Sequence, residues 1–204
     1  MKNILFTLAL LVSFSSFGQT AKEYSQSGYG KSQNGDYKGA ISDYNKAIKL
    51  DPNYAIAYYN RGTIKGRDLK NDYKGAISDF TKAIELDPNY AGAYYNRALV
   101  KEDLKDYKGA ISDYNKAIKL DPNYAIAYYN RGTIKGRDLK DYKGAISDYN
   151  KAIELDPNDA DAYSNRGNAK VLIGDLTGAC SDWKKAANLG DTNAAAKWVA
   201  NQCN

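Results

Sequence analysis

Histidine is absent from this 204-residue chain, and cysteine occurs only twice. The absence of histidine excludes catalytic triads, general bases and metal centres that depend on an imidazole. The sequence also lacks a glycine-rich phosphate loop that ends in Lys-Ser or Lys-Thr, and it lacks a nucleophile elbow. We therefore predict a protein that is not an enzyme and that holds no cofactor and no metal.

A concentrated charge of one sign is also missing. The chain carries 29 basic and 24 acidic residues, which gives a formal net charge of +5. Opposite charges are interleaved along the sequence, as at Lys46, Lys49 and Asp51. Because nucleic-acid recognition needs a clustered basic patch, we expect a solvated surface and no nucleic-acid partner.

The N-terminus has the composition of a secretory signal. Lys2 precedes an apolar run over residues 4–12, and Ser16 and Gly18 place small residues where a signal peptidase cuts. We expect residues 1–18 to be a signal peptide and the mature chain to be periplasmic or secreted. The run is short for a membrane span, so we expect no stable membrane insertion after cleavage; an uncleaved anchor is the alternative. The Ser-Phe-Gly-Gln ending resembles signals of Gram-negative bacteria of the Bacteroidetes type.

Internal repeats account for most of the remaining chain. Residues 36–70 and 106–140 are identical letter for letter, which indicates the duplication of a two-repeat unit. A shorter period of about 35 residues runs through both copies. It is marked by the four prolines, Pro52, Pro88, Pro122 and Pro157. A fifth copy follows without its proline, so the sequence predicts five similar units in a row.

Each unit has the pattern of two helices. In the second unit, Asp72 precedes an apolar face with helical spacing that includes Tyr73, Ala76 and Phe80. An aspartate there can cap the helix by accepting hydrogen bonds from free N–H groups of the first turn. Pro88 ends the helix, because the residue before a proline is disfavoured in the α region.

Small and bulky residues alternate in register across the copies. Two helices approach closely only where side chains are small, and bulky residues then fill the space between one hairpin and the next. The small columns are Ala40, Ala76, Ala110, Ala145 and Ala179; Ala47, Ala83, Ala117, Ala152 and Ala186; and Gly28, Gly62, Ala98, Gly132 and Gly167. The bulky column is Tyr44, Phe80, Tyr114, Tyr149 and Trp183.

This pattern resembles the tetratricopeptide repeat: small, aromatic and small residues followed by Leu-Asp-Pro, on a period of about 34 residues. The resemblance implies an all-α, right-handed superhelical solenoid of about five helix-turn-helix repeats and a C-terminal capping helix. The expected repeats are residues 21–54, 55–90, 91–124, 125–159 and 160–193, with the capping helix at about 193–202. The first copy departs from the pattern, since Ser25, Gln26 and Ser27 replace Tyr-Asn-Arg.

The family resemblance also implies a concave groove lined by the first helix of each repeat. Asparagine can donate to and accept from a peptide backbone, and tyrosine offers contact area at a low entropy cost. We therefore expect a scaffold or adaptor that binds a protein or peptide segment; the alternative for these columns is local packing. The expected groove residues are Tyr59, Asn60, Thr63, Tyr95, Asn96, Leu99, Tyr129, Asn130, Thr133, Asn165 and Asn168, with Ser164 in the tyrosine column.

Some related repeat proteins grip a terminal carboxylate with lysines beside such asparagines. Here the neighbouring columns hold Ile56, Gly92 and Ile126 and the three groove tyrosines. Because those lysines are missing, we predict no such clamp.

An arginine column replaces the leucine of the family's first helix. We expect these arginines to pair with aspartates across the boundary between copies, because an arginine–carboxylate fork suits a partly buried charge; ligand binding is the alternative. The arginines are Arg61, Arg97, Arg131 and Arg166, and the aspartates of the preceding copies are Asp43, Asp79, Asp113 and Asp148.

The two cysteines lie at the C-terminal end. Cys180 is early in the second helix of the last copy, and Cys203 follows the expected capping helix. If these two helices are antiparallel, the cysteines come within bonding range. Export would place them in an oxidising compartment, so we predict a Cys180–Cys203 disulfide in preference to metal binding.

Two other functions remain open from the sequence. Tyrosine faces can stack on sugars, so a cell-wall or carbohydrate-binding module is one alternative. A structural component of the envelope that assembles with itself is the other. Repeat folds serve many partners, and the fold alone does not choose among these functions.

Overall fold

A computed structural model describes residues 19–68, 72–192 and Cys203. The predicted signal peptide and the predicted capping helix over residues 193–202 lie outside the described residues. Within the described part of the chain the secondary structure is helical, with ten α-helices and two π-helical segments. In chain order, α1 to α10 are Ala21–Gln33, Tyr37–Leu50, Ala55–Thr63, Tyr73–Leu86, Ala91–Asp103, Tyr107–Leu120, Ala125–Thr133, Tyr142–Leu155, Ala160–Leu172 and Leu176–Asn188, and the π-helical segments are Ile64–Asp68 and Ile134–Asp138.

The helices form five hairpins that stack in one direction. Each odd-numbered helix packs against the even-numbered helix that follows it, and each even-numbered helix also packs against the first helix of the next hairpin. This arrangement is the predicted all-α solenoid. Of the helices that the structure describes, none combines the length and the apolar character of a membrane span.

An aspartate caps the second helix of every hairpin. In α4 the backbone N–H of Gly75 donates to Oδ1 of Asp72 over 2.9 Å. The cap also explains the glycine, because a Cβ at Gly75 would lie 2.1 Å from Oδ2 of Asp72. Such a cap stabilises a helix by about 1 kcal/mol. The same bond is made by Asp36, Asp106, Asp141 and Asp175.

Each proline turn is closed by the aspartate before it. At the end of α4, Asp87 donates its backbone N–H to the carbonyl of Ala83 over 2.8 Å. Its side-chain Oδ1 accepts the N–H of Asn89 over 3.0 Å. This turn starts the chain back towards the next hairpin.

The small and bulky columns meet as the sequence predicts. A Cβ on Gly62 would lie 3.0 Å from the ring of Phe80, so the glycine leaves room for this ring where α3 approaches α4. Tyr44 is 1% exposed and clusters with Ala57 and Ile64 of the following hairpin. The bulky column thus packs within its own hairpin and against the next one.

The second copy is two residues longer than the third, and the fourth is one residue longer, in the turns that contain Gly66 and Gly136. The chain turns through π-helical segments at Ile64–Asp68 and Ile134–Asp138, where the sequence predicted only a turn. Ile64 and Ile134 anchor these segments in the core. A Cβ at Gly66 would lie 2.8 Å from Cγ2 of Val100, so this glycine lets the widened turn pack on the next repeat.

The structure joins Cys180 and Cys203 in a disulfide, with their Cα atoms 5.6 Å apart. Both cysteines pack against the core cluster of Ala179 and Trp183. Lys184 also donates from Nζ to the carbonyl of Cys203 over 2.9 Å. Cys203 is thereby attached to α10.

Candidate functional site

The predicted asparagine and tyrosine columns are joined by hydrogen bonds between repeats. Three of the four column asparagines donate from Nδ2 to the hydroxyl of the tyrosine one repeat earlier; Asn60 does not, because the first copy has Ser25 in the tyrosine column. The bonds run from Asn96 to Tyr59 over 2.9 Å, from Asn130 to Tyr95 over 3.0 Å, and from Asn165 to Tyr129 over 2.9 Å. The two columns therefore form one continuous Tyr–Asn ladder along the first helices.

The tyrosines of the ladder are partly used in packing. The ring centroid of Tyr59 lies 4.6 Å from that of Tyr90 and 6.0 Å from that of Phe80. Tyr95 makes the same two contacts, with Tyr124 at 4.9 Å and Tyr114 at 5.8 Å. Burial raises the pKa of Tyr95 and of Tyr124, which packs against it. The packing interpretation left open by the sequence applies to these rings.

Three cavities of similar size lie along the ladder. The first cavity, between the first and second repeats, has a volume of about 300 Å³ and is lined by Tyr29, Ser32, Gln33, Tyr37, Tyr44, Asn60, Thr63, Ile64 and Arg67. The second cavity, of about 270 Å³, is lined by Thr63, Gly66, Arg67, Phe80, Asn96, Leu99, Val100, Glu102, Asp103 and Asn130. The third cavity, of about 380 Å³, is lined by Tyr129, Thr133, Gly136, Arg137, Tyr142, Tyr149, Asn165, Asn168, Ala169 and Leu172.

Nine of the eleven predicted groove residues line these cavities. The remaining two, Tyr59 and Tyr95, support the amides of Asn96 and Asn130 instead. Ser164, in the same column, is buried. The predicted groove residues therefore contribute amides, hydroxyls and one leucine, Leu99, to the cavity walls.

The remaining groove positions make local bonds. The hydroxyl of Thr63 donates to the backbone carbonyl of Tyr59 over 3.0 Å, and Thr133 makes the same bond to Tyr129 over 3.1 Å. Asn168 is exposed, and its Oδ1 accepts the indole N–H of Trp183 over 3.2 Å.

The column arginines do pair with aspartates, but the predicted pairing across the boundary between copies was wrong. Arg61 pairs with Asp79 of its own hairpin, with 2.9 Å from Nε to Oδ2 and 2.6 Å from Nη2 to Oδ1. Across the boundary between copies, Nη1 of Arg61 donates instead to an uncharged side chain, Oδ1 of Asn45, over 2.6 Å. The same fork joins Arg97 to Asp113, Arg131 to Asp148 and Arg166 to Asp182.

The direction of the arginine side chain explains why it pairs within its own hairpin. The fork aims Nε and Nη2 at the second helix of the same hairpin, and the guanidinium of Arg61 lies 5.5 Å from the ring centre of Tyr58. A planar guanidinium suits both the fork and the stacking. The four arginines are thus structural, and they do not belong to the cavity walls.

The first repeat keeps this aspartate without the arginine. Asp43 accepts hydrogen bonds from Ser27 over 2.7 Å, Lys31 over 2.6 Å and Lys46 over 3.2 Å. Burial opposes ionisation of this carboxyl, but the three donors prevail and lower its pKa below 3.8. Ser27 and Lys31 together replace the missing arginine. The first copy therefore retains the fold of its neighbours although its sequence departs from the repeat pattern.

Sequence reasoning missed Arg67, Ser32 and Glu102 as residues of the cavities. Arg67 borders both the first and the second cavity. A comparison of the two copies could have pointed to two of them. Ser32 and Glu102 are equivalent positions, 70 residues apart and just before the identical segments, and they differ in charge.

The fold and the ladder define a helical-repeat protein of the class that serves as interaction scaffolds. The family model described as TPR repeat matches residues 32–67, 69–105, 102–137 and 135–174. The chain therefore belongs to the tetratricopeptide repeat family, whose members generally serve as non-enzymatic interaction scaffolds.

Several solved structures are similar to this chain. A crystal structure of MamA is 31% identical, covers 79% of this chain and 93% of its own, and has a TM-score of 0.74. MamA from Desulfovibrio magneticus RS-1 is 25% identical, with coverages of 87% and 98% and a TM-score of 0.76. YrrB, described as a TPR protein with an unusual peptide-binding site, is 25% identical, with coverages of 89% and 92% and a TM-score of 0.73. No curated protein matches the sequence significantly.

Proposed function

We propose that this protein is an exported scaffold that binds an extended peptide or protein segment along the Tyr–Asn ladder. The observation that carries the proposal is the series of three cavities walled by the ladder's own amides and by neighbouring hydroxyls. An asparagine amide offers two N–H groups and a carbonyl oxygen. The bond to tyrosine uses one N–H of Asn96, so hydrogen-bonding capacity remains for a peptide backbone.

The relatives support the same class of function. YrrB is described as having a peptide-binding site, and it is similar to this chain over most of both lengths. The repeat family supplies interaction scaffolds rather than enzymes. A Cys180–Cys203 disulfide suits an exported protein, because disulfides persist in oxidising compartments.

The packing of the tyrosines argues against the carbohydrate alternative. Stacking on a sugar requires a free ring face, whereas Tyr59 and Tyr95 each contact two other aromatic rings. The remaining alternative, a self-assembling envelope component, predicts oligomers of the purified chain. Light scattering measures that directly, and a monomer would remove it.

The test is affinity purification of the mature chain, residues 19–204, from a native envelope extract. The groove variant replaces Asn60, Asn96 and Asn130 with alanine. The matched control replaces three exposed turn asparagines with alanine, namely Asn53, Asn89 and Asn123.

We expect a partner that the wild type and the turn variant retain and that the groove variant loses. Thermal unfolding of all three proteins must show that the groove variant is folded at the temperature of the experiment. A partner that the folded groove variant retains would place the binding surface elsewhere, and the absence of any partner would contradict the proposal.

A further inference from the structure

The duplicated unit contains an internal comparison. Residues 36–70 and 106–140 are identical, so Arg67 and Arg137 have the same local sequence. Both follow the same glycine in a π-helical segment, and both are exposed. Any difference in their surroundings must come from residues outside the identical segments, and the helix before each segment supplies it.

Arg137 is neutralised by the protein itself. Its Nη2 lies 3.1 Å from Oε1 of Glu102 and 2.9 Å from Oδ2 of Asp138. Glu102 is fixed in turn by the hydroxyl of Tyr114, which donates to Oε2 over 3.3 Å. The carboxylate on α5 thus occupies the place beside the second copy of this arginine.

At the position equivalent to Glu102, the described residues place no carboxylate beside Arg67. Ser32 stands where the second unit has Glu102, and it lines the first cavity together with Arg67. Among the described residues that line this cavity, Arg67 is the only one with a formal charge. The other groups there are hydroxyls and amides, including those of Tyr29, Tyr37 and Asn60.

We propose that the first cavity binds a carboxylate of the partner segment, from an aspartate or glutamate side chain, through Arg67. This inference rests on the proposed function and names the chemistry of one position in the bound segment. A guanidinium presents paired N–H donors that match the two oxygens of a carboxylate. Ser32 and Asn60 supply neutral donors nearby, and the single positive charge balances the single negative charge of the ligand.

The second cavity sets the register of the segment. It shares Arg67 with the first cavity but is also lined by Glu102 and Asp103. A second carboxylate entering there would face like charges, which disfavours it. The acidic residue is therefore directed to the first cavity, and the residue that follows it towards α5 should be neutral or basic.

The experiment measures the arginine side chains directly. The mature chain is titrated with the tripeptide Ala-Glu-Ala, acetylated and amidated at its ends, while the Nε–Hε signals of Arg67 and Arg137 are followed by NMR. The matched probe is the same peptide with glutamine in place of glutamate. We expect the Arg67 signal to shift with the glutamate peptide and not with the glutamine peptide, and the Arg137 signal to remain unchanged.

Two exchange variants sharpen the test. In Ser32→Glu the first unit gains the carboxylate of the second, so we expect affinity for the glutamate peptide to fall about ten-fold, the loss of one charge-assisted contact. In Glu102→Ser the second unit loses it, and the Arg137 signal should now respond. Arg67→Gln should behave like Ser32→Glu. All three substituted positions are exposed or half-buried, and circular dichroism verifies folding.

The outcomes separate this inference from the proposed function. A silent Arg67 signal in a chain that binds its partner through the asparagines would overturn the carboxylate site and leave the scaffold intact. A responding Arg67 in a chain that captures no partner would do the reverse. An equal response to inorganic phosphate, or an equal response of Arg137 in the wild type, would also overturn the assignment to a carboxylate at Arg67.

Discussion

Arg61 holds Asp79 by two parallel hydrogen bonds within one hairpin, and the side chains are 17% and 5% exposed. Lys65 adds a contact of 3.0 Å from Nζ to Oδ2 of the same carboxylate. The pair therefore ties the first helix of the repeat to the second at a nearly buried point. The same geometry recurs in the next three hairpins.

Breaking this pair should be costly. In Asp79→Ala, both Arg61 and Lys65 lose their buried partner, and removing one member of a buried ion pair costs about 3 kcal/mol. Charge reversal, Asp79→Lys, should cost more, because it adds repulsion. Urea unfolding monitored by circular dichroism measures the loss.

The exposed pair of Lys82 and Glu85 serves as the control, since its side chains are 43% and 58% exposed. Such surface pairs contribute about 0.5 kcal/mol or less, so Glu85→Ala should be nearly neutral. Equal midpoints for Asp79→Ala and Glu85→Ala would show that the Arg61 fork contributes no stability.

The glycine column makes a second prediction. In Gly62→Ala, the new Cβ would lie 3.0 Å from the ring of Phe80 and 3.1 Å from Cβ of Asp79, so the ring or the two helices must shift by a few tenths of an ångström. We expect a loss of about 1–3 kcal/mol from overpacking. Thermal unfolding of the variant and the wild type gives the comparison.

Gly30→Ala is the matched control within a first helix. A Cβ at Gly30 meets no atom within 4 Å, and alanine is favoured over glycine in a helix by about 1 kcal/mol. This variant should be at least as stable as the wild type. If Gly62→Ala were equally harmless, close helix approach would not explain the glycine column.

The sequence predicted the fold because each structural device is local and repeated. Asp72 as a cap, Pro88 as a stop and the match of Gly62 to Phe80 follow from chain spacing alone. The hairpins and their stacking could be predicted from five copies of one pattern. The π-helical segments could not, because a widened turn depends on how Ile64 and Gly66 pack against the neighbouring helices.

The candidate site was predictable only in part. The columns of Asn96 and Asn130 follow from repeat register, but their bonds to tyrosine depend on the distance between adjacent hairpins. The predicted partner of Arg61 was wrong for a related reason. Asp43 and Asp79 both lie on second helices, and only the direction of the guanidinium decides between them. Three-dimensional orientation, rather than residue type, was the missing information.

The Cys180–Cys203 disulfide should stabilise the last hairpin. Mass spectrometry of the unreduced, alkylated protein should show no added alkyl groups, and two free thiols would contradict the bond. Cys203→Ser should destabilise the last hairpin by about 3 kcal/mol, the value for closing a loop of this length. The probe is the fluorescence of Trp183, which packs beside both cysteines, measured in a Trp198→Phe background that removes the other tryptophan.

The paired control is Cys203→Ser in the presence of a reductant. Because the wild type loses the same bond under reduction, the two proteins should then unfold together. A difference that persists in the reductant would mean that the serine acts through packing and not through the lost cross-link.

High pH gives the last prediction, since burial raises the pKa of Tyr44 and of Tyr149 to about 12, from an ordinary value of 10.0. Below pH 10, both folded and unfolded chains keep these protons, and the stability from burying neutral tyrosine is fully present. Between pH 10 and 12, only the unfolded chain ionises, so each step in pH favours unfolding. The unfolding midpoint in urea should therefore fall steeply in this window.

The double variant Tyr44→Phe, Tyr149→Phe is the natural control, because Phe80 occupies the same column in the second repeat and is 1% exposed. Phenylalanine has no proton to lose, so the variant should show a shallower fall between pH 10 and 12. The phenolate absorbance at 295 nm identifies the titration in the wild type. If the two proteins lose stability in parallel over this range, the ionisation of Tyr44 and Tyr149 is not linked to folding.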